Sequence, residues 1–90
     1  MKKIALTDGS GRWFDQKTSQ EFKNVFEIFK NETLYLTVSG TWILATDHTL
    51  DFKPNTIDEI SQIEADKWFK QNHIEKTIKQ TLIFDKKLKI

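Results

Sequence analysis

The stretch from Leu36 to Leu44 constrains the fold more than any other part of the chain, because its turn admits only one favourable geometry. A two-residue type I′ loop on Ser39 and Gly40 would require a positive φ at serine, which is unfavourable. A three-residue loop, Val38 to Gly40, requires a positive φ only at the glycine, in a type I turn closed by a G1 bulge. The sequence therefore predicts a β-hairpin with the bulged loop.

The choice of loop decides which side chains share a face of this hairpin, since a shift of one residue moves every side chain to the opposite face. The bulged loop sets Leu36 opposite Trp42 and Leu34 opposite Leu44, which makes one face apolar. The other face is mixed and carries Thr33, Tyr35, Thr37, Thr41, Ile43 and Ala45. Only this register separates apolar from mixed side chains, so turn chemistry and burial agree, and Trp42 is predicted to lie in the core.

A second hairpin is predicted at the start of the chain. Residues 2–7 form the first strand by pattern, and residues 12–14 form the returning strand. Between them, Asp8-Gly9-Ser10-Gly11 has the composition of a turn. A Gly-x-Gly loop can also cradle phosphate, but no helix start follows it, as the phosphate-binding fingerprints require. We interpret it as a hairpin turn.

Two segments show helix-start chemistry. In the first, residues 15–24, Thr18 and Glu21 are spaced as a capping box, which predicts a short helix after the first hairpin. The run that follows, residues 25–29, fits both a helix and a strand, because Phe22, Val25, Phe26 and Phe29 have helical spacing although the residue types favour a strand.

The second segment begins at Ser61, which forms a capping box with Glu64 and predicts a helix over residues 61–72. Helical spacing directs Trp68 and Phe69 onto the sheet. The helix is expected to end at Asn72-His73, because asparagine tolerates a left-handed cap. In the tail, residues 74–82 hint at a further helical turn or two, and residues 81–84 fit a late strand.

These elements define the fold class as α+β. We predict a small antiparallel sheet of about four hairpin-connected strands, one main helix packed on one face, and the short helix after the first hairpin. Residues 1–90 form a single small domain, with a mildly basic tail over residues 74–90.

Composition excludes several classes of function. There are no cysteines, so disulfides, thiolate metal sites and a cysteine nucleophile are absent, as is usual in a reducing cytoplasm. The formal net charge is only +1, and Arg12 is the one arginine, which argues against extensive phosphate contacts. No apolar run approaches the roughly 20 residues of a membrane span. We expect an intracellular, cytoplasmic protein without a membrane segment.

Chemically active side chains are sparse. His48 lies between Asp47 and Asp51 in a predicted loop, where a metal site or an acid–base pair is conceivable. A dedicated zinc site needs three or four protein ligands, and no second histidine or cysteine has a suitable spacing. We interpret the cluster as a solvated loop. We predict no catalytic, cofactor-binding or metal-binding residue and no cofactor.

The mixed face of the main hairpin is the better candidate for binding. Tyr35 and Ile43 stand opposite each other on it, and Trp13 and Phe14 belong to a nearby strand. If the face is open, these four residues form an interaction surface for a protein, or a stacking platform for single-stranded nucleic acid where lysines surround it. The alternative is that helices or the tail cover it.

Three motifs follow one another over residues 4–73. They are Leu6-Thr7-Asp8-Gly9 followed by Trp13-Phe14, then Leu34-Tyr35-x-Thr37-x-x-Gly40-x-Trp42-Ile43-Leu44, then Ile60-Ser61-x-x-Glu64-Ala65-x-x-Trp68. Their order and spacing resemble a group of small, uncharacterised bacterial proteins associated with cyanobacteria and mobile elements. The chain departs from that pattern in the Gly-Ser-Gly insertion before Arg12, the shortened segment before Leu34 and the tail after Ile74. The resemblance implies a compact sheet-and-helix domain and no site, because no activity is established for the group.

From the sequence we expect a non-enzymatic protein-interaction or regulatory module, with an unknown protein partner or a second copy of itself in a homo-oligomer. One alternative is a single-stranded nucleic-acid-binding protein that uses exposed aromatic residues and lysines. The other is a small metal-dependent enzyme around His48.

Overall fold

A computed structural model describes residues 1–23, 31–48, 52–79 and 90. These residues contain two antiparallel sheets and one helix. The small sheet pairs β1 (Lys3–Ala5) with β2 (Trp13–Asp15). The large sheet has the order β3 (Gln20–Lys23), β4 (Glu32–Leu36), β5 (Trp42–Thr46) and β6 (Thr56–Ile60), and the helix α1 (Gln62–Gln71) follows it. The α+β class and the antiparallel sheet are confirmed.

The predicted register of the β4–β5 hairpin is confirmed. Leu34 pairs with Leu44 and Leu36 pairs with Trp42. Gly40 has a φ of 83°, and its N–H donates to the carbonyl oxygen of Thr37 at 3.0 Å, as expected for the bulged turn. The glycine therefore sets the register of the β4–β5 hairpin, and β3 and β6 pair with the two strands of this hairpin.

Helix α1 begins where the sequence indicates. The Ser61 hydroxyl accepts from the Glu64 N–H at 3.1 Å, and the Glu64 carboxylate accepts from the Ser61 N–H at 3.5 Å, so the capping box is complete. At the other end, the left-handed residue is His73, with a φ of 54°, and not Asn72. The Asn72 side chain instead donates to the carbonyl oxygen of Trp68 at 2.8 Å, which holds it in a right-handed conformation.

One face of the large sheet packs against α1 through a cluster of aromatic rings. The Phe69 ring lies 4.9 Å from that of Phe22, 5.7 Å from that of Trp42 and 5.5 Å from that of Trp68, all edge to face. Such pairs are favourable beyond the area they bury. Leu34 and Leu36 complete the apolar face, as the register requires.

The opposite face of the large sheet is covered by the β1–β2 hairpin. Leu6 and Phe14 from this hairpin form a second core with Tyr35 and Ile43. The Phe14 and Tyr35 ring centroids are 5.2 Å apart. The fold therefore has three layers: the β1–β2 hairpin, the four-stranded sheet and the helix.

Two expectations about this architecture are only roughly matched. Six strands in two sheets are present in the described residues, where about four in one sheet were expected. The short helix after the first hairpin is replaced, over its described part, by a turn and the strand β3. The hydroxyls of Thr18 and Ser19 donate to the Asp15 carbonyl oxygen at 3.3 and 2.8 Å, which stabilises a turn. Serine, threonine and aspartate support turns by the same hydrogen bonds that cap helices.

The remaining expectations concern segments that are described only in part. The choice between helix and strand for residues 25–29, and the late strand at 81–84, lie outside the described residues. Residues 74–79 are not helical. They lie against the body of the domain, with Ile74 packed on the aromatic core and the carbonyl oxygen of Thr77 accepting from the Gln20 side chain at 2.7 Å. In the described part of the chain, α1 is too short and too polar to cross a membrane.

Candidate interaction edge of the sheet

The four residues expected to form an interaction surface are mostly core. Phe14 and Ile43 have no exposed surface, and Tyr35 is 7% exposed. Trp13, on the same strand as Phe14, is half-buried. The face is covered, but mainly by the β1–β2 hairpin, whereas the sequence suggests the helices or the tail as its cover. A partner could reach Phe14, Tyr35 and Ile43 only if that hairpin moved away.

Tyr35 is held in place by one polar contact. The Gln16 side-chain amide donates to the phenol oxygen at 2.9 Å. Burial raises the pKa of the Tyr35 phenol above its ordinary value of 10.0, and the negative charge of Glu21 on the neighbouring strand adds to the shift, whereas the Gln16 hydrogen bond opposes it. The phenol therefore behaves as a buried core group with a polar end.

We expect the stability of the protein to fall as the pH rises above about 10, and part of this loss to come from Tyr35. The phenol ionises near pH 10 in the unfolded chain but stays neutral in the folded protein. The free energy of unfolding therefore falls as the pH rises from the pKa of the phenol in the unfolded chain to its raised pKa in the folded protein. Below pH 10 the group contributes nothing. Urea unfolding between about pH 8 and about pH 11 measures this dependence. The Tyr35→Phe variant should show a shallower decline, and an equal decline in both proteins would contradict the assignment.

Trp13 and its surroundings bear on the nucleic-acid alternative. The Lys3 ammonium nitrogen lies 4.8 Å from the centroid of the Trp13 ring, a cation–π arrangement. The Ile90 N–H donates to the Trp13 carbonyl oxygen at 2.8 Å, so the last residue of the chain lies beside β2. A stacking platform of Trp13, Phe14 and Tyr35 is not exposed, because the last two are buried.

His48 lies at the end of β5 in a small polar network. Its N–H donates to the Asn55 side chain at 2.8 Å, and its Nε2 lies 3.4 Å from the Thr56 hydroxyl. Asp51 is outside the described residues. Within residues 1–23, 31–48, 52–79 and 90, no group of three or more histidine, aspartate or glutamate side chains is placed to hold a metal ion.

An open groove of about 630 Å³ runs beside the carboxyl end of α1. Its wall includes Phe69 and Ile74 together with Asp66 and Lys76, which form a 2.8 Å ion pair. Hydrogen bonding to Lys76 lowers the pKa of the Asp66 carboxyl. The Lys76 ammonium also lies 5.5 Å from the centroid of the Trp42 ring. These charges are engaged in joining residues 74–79 to the helix, and they line no enclosed site.

With both faces of the large sheet covered, its edges are the remaining places where main-chain groups can meet a partner. At the β6 edge, the Thr7 N–H donates to the Ile57 carbonyl oxygen and the Ile57 N–H donates to the Thr7 hydroxyl, both at 2.9 Å. Nearby, the Arg12 guanidinium lies 3.3 Å from the Glu59 carboxylate. The first hairpin therefore occupies part of this edge.

At the other end of the sheet, the main-chain groups on the outer side of strand β3 can be identified from its pairing with β4. In antiparallel sheets, successive residues direct their N–H and C=O groups to alternate sides of the strand. Thr37 bonds to Thr41 across the β4–β5 turn, so the alternation directs the main-chain groups of Leu34 and Leu36 toward β3. Their β3 partners are Phe22 and Gln20, which leaves Glu21 and Lys23 with outward main-chain groups.

Within the described residues, β3 is the end of the sheet, and no described strand pairs with its outer side. The side chains of Glu21 and Lys23 are exposed, whereas that of Phe22 between them is buried. The edge thus presents two N–H donors, two C=O acceptors, one carboxylate and one ammonium within three residues. We call these three residues, Glu21 to Lys23, the β3 edge.

The sequence contains a signal for this edge, which the helical spacing of the phenylalanines concealed. Gln20-Glu21-Phe22-Lys23 alternates charged residues with residues that face the core, the period of two that is typical of a strand. Phe22 fits both patterns. The pairing with β4 settles the choice for Phe22, because it places the ring against Trp42 and Phe69 in the aromatic core.

Comparison of the chain with protein-family models, with curated proteins and with solved structures gives no match. The resemblance to the group of small bacterial proteins therefore stays a prediction. The β3 edge is the structural feature that bears most directly on function.

Proposed function

We propose that this chain is a non-enzymatic protein-interaction module that binds an extended segment of a protein by adding it as a strand to the β3 edge. The observation that carries the proposal is the pair of outward main-chain positions, Glu21 and Lys23. In the described part of the chain they lie at the end of a sheet whose two faces are covered. A cytoplasmic location, as expected for a chain without cysteines, belongs to the same proposal.

Strand addition divides affinity and specificity between main chain and side chains. Main-chain hydrogen bonds to an open edge supply affinity, and alternate side chains supply specificity. In an antiparallel partner, the residue opposite Glu21 should be basic and the residue opposite Lys23 acidic, because opposite charges on paired positions attract and like charges repel. The partner segment therefore has the order Glu-x-Lys from its amino end.

The other two functions are less well supported by the same structure. Nucleic-acid binding would depend on aromatic residues of which Phe14 and Tyr35 are buried. A metal-dependent reaction would depend on His48, whose ring Nε2 lies near the Thr56 hydroxyl, and no group of three histidine, aspartate or glutamate side chains among the described residues could hold a metal ion. The β3 edge, in contrast, has no described strand on its outer side.

A pair of synthetic peptides tests the proposal. The peptide Thr-Thr-Glu-Val-Lys-Thr-Thr should bind and shift the NMR amide signals of Glu21 and Lys23. The matched control, Thr-Thr-Lys-Val-Glu-Thr-Thr, places like charges opposite each other and should bind more weakly. Because short peptides lose much entropy on ordering, weak binding is expected and the difference between the two peptides is the readout.

Hydrogen exchange of the dilute protein provides the check. The amides of Gln20 and Phe22 point toward β4 and should exchange slowly, whereas those of Glu21 and Lys23 should exchange much faster. Equal protection of all four amides in a monomeric sample would mean that the chain itself closes this edge. That result, or equal binding of the two peptides, would overturn the proposal.

A further inference from the structure

We infer that the partner of the β3 edge is the β3 edge of a second copy of this chain, paired antiparallel with Phe22 on the two-fold axis. This inference rests on the proposed function and names its partner. The segment that the edge selects has the order Glu-x-Lys, and the chain supplies it as Glu21-Phe22-Lys23.

The hydrogen-bonding positions allow only a few two-fold registers. Because the main-chain groups of Glu21 and Lys23 point outward, a second strand must set outward residues opposite outward residues. A two-fold axis at Phe22 sets Glu21 of one copy opposite Lys23 of the other and exchanges main-chain bonds there. The symmetry repeats this arrangement, so the two copies share two such pairs.

Charge distinguishes this register from its neighbours. A two-fold axis at Glu21 would oppose two carboxylates, and an axis at Lys23 would oppose two ammonium groups, both of which are unfavourable. Only the axis at Phe22 opposes unlike charges, and it does so twice. Charged residues on an edge strand usually prevent pairing with other sheets. Here the negative charge of Glu21 and the positive charge of Lys23 lie two residues apart. They therefore disfavour the registers that oppose like charges and favour the register with the axis at Phe22.

A second observation places an apolar side chain at the same end of the sheet. The Gln20 side chain accepts from the Lys79 N–H and donates to the Thr77 carbonyl oxygen, each at 2.7 Å. Ile78 is therefore fixed next to the start of β3, and it is 52% exposed. The end of the sheet where a second copy would dock thus also has an exposed apolar side chain near it.

The edge is short, so the dimer is expected to be weak and concentration-dependent. Sedimentation equilibrium over roughly 10 µM to 1 mM covers the range of a small, transient interface. The variants are Glu21→Lys, Lys23→Glu and the double exchange of both residues. Each position is exposed, and circular dichroism with thermal unfolding verifies that every variant is folded.

The wild type should dimerise, and each single variant should lose about tenfold or more in association constant, because like charges then meet twice. The double exchange should recover association, since unlike charges again face each other. An equimolar mixture of the two single variants should form a heterodimer, because every pair across its interface joins a lysine to a glutamate.

Three results would overturn the inference: a wild type that is monomeric at the highest concentration, single variants that associate as strongly as the wild type, or a mixture without a heterodimer. The peptide experiment separates this inference from the proposed function. A monomeric protein that still binds Thr-Thr-Glu-Val-Lys-Thr-Thr keeps the proposed function and loses only self-pairing, whereas a protein that does neither loses both.

Discussion

Replacement of Phe69 by alanine is expected to lower the free energy of unfolding by about 3–5 kcal/mol, the usual range for truncation of a buried phenylalanine. Phe69 is 4% exposed and forms edge-to-face contacts with Phe22, Trp42 and Trp68. Its removal leaves a cavity at the centre of the helix-side core. Domains of this size are stable by only about 5–15 kcal/mol, so the loss is a large fraction of the total. Urea unfolding followed by circular dichroism measures it.

The matched control for this substitution is Phe52→Ala. Phe52 is 98% exposed, so its truncation should change the free energy of unfolding by no more than about 0.5 kcal/mol. The two variants remove the same atoms, one set from a buried position in α1 and the other from an exposed turn in which Phe52 has a φ of 56°. If both proteins unfold at the same urea concentration, Phe69 is not a core residue and the packing of α1 on the sheet is incorrect.

Replacement of Phe14 by alanine should be similarly destabilising, by about 3–5 kcal/mol, although this residue lies on the other side of the sheet. Phe14 is fully buried against Tyr35 and Ile43 and provides much of the contact between the β1–β2 hairpin and the large sheet. Its loss should also increase hydrogen exchange of the hairpin amides more than that of the α1 amides, because the hairpin layer opens first.

Trp13→Ala is the control for this second substitution, since Trp13 precedes Phe14 on the same strand but is half-buried. It should cost about 1 kcal/mol, because a half-buried ring and its contact with Lys3 are lost. If Phe14 were instead a contact residue on an open surface, its truncation would leave the stability of the protein at the wild-type level. Wild-type stability of Phe14→Ala would therefore contradict a covered face.

The central hairpin of the large sheet, β4 and β5, could be predicted because short-range chemistry decides it. Gly40 permits only one favourable loop, the loop sets the register, and the register separates the side chains of the two faces. The capping box of Ser61 and Glu64 likewise locates the start of α1 from four consecutive residues. In both cases the determining interactions lie within a few residues of one another.

The missed features depend on contacts that are distant in sequence. The turn at Asp15 to Ser19 uses the same side chains as a helix cap, and only the pairing of β3 with β4 distinguishes the two. The covering of Tyr35 and Ile43 depends on Phe14, which lies about twenty or more residues away in the chain. The β3 edge was missed for the same reason, since a strand can be recognised as an edge only when all its neighbours are known.

The attachment of the β1–β2 hairpin has a consequence for folding. Strands β3 to β6 each pair with the next strand along the chain, so the large sheet closes through contacts that are local in sequence. The bonds between Thr7 and Ile57, in contrast, join residues 50 positions apart. Closing so long a loop carries a larger entropic cost and slows folding. The layer that completes the second core is thus a kinetically demanding part of the molecule, while the strand pairs of the large sheet, which join neighbours along the chain, form most readily.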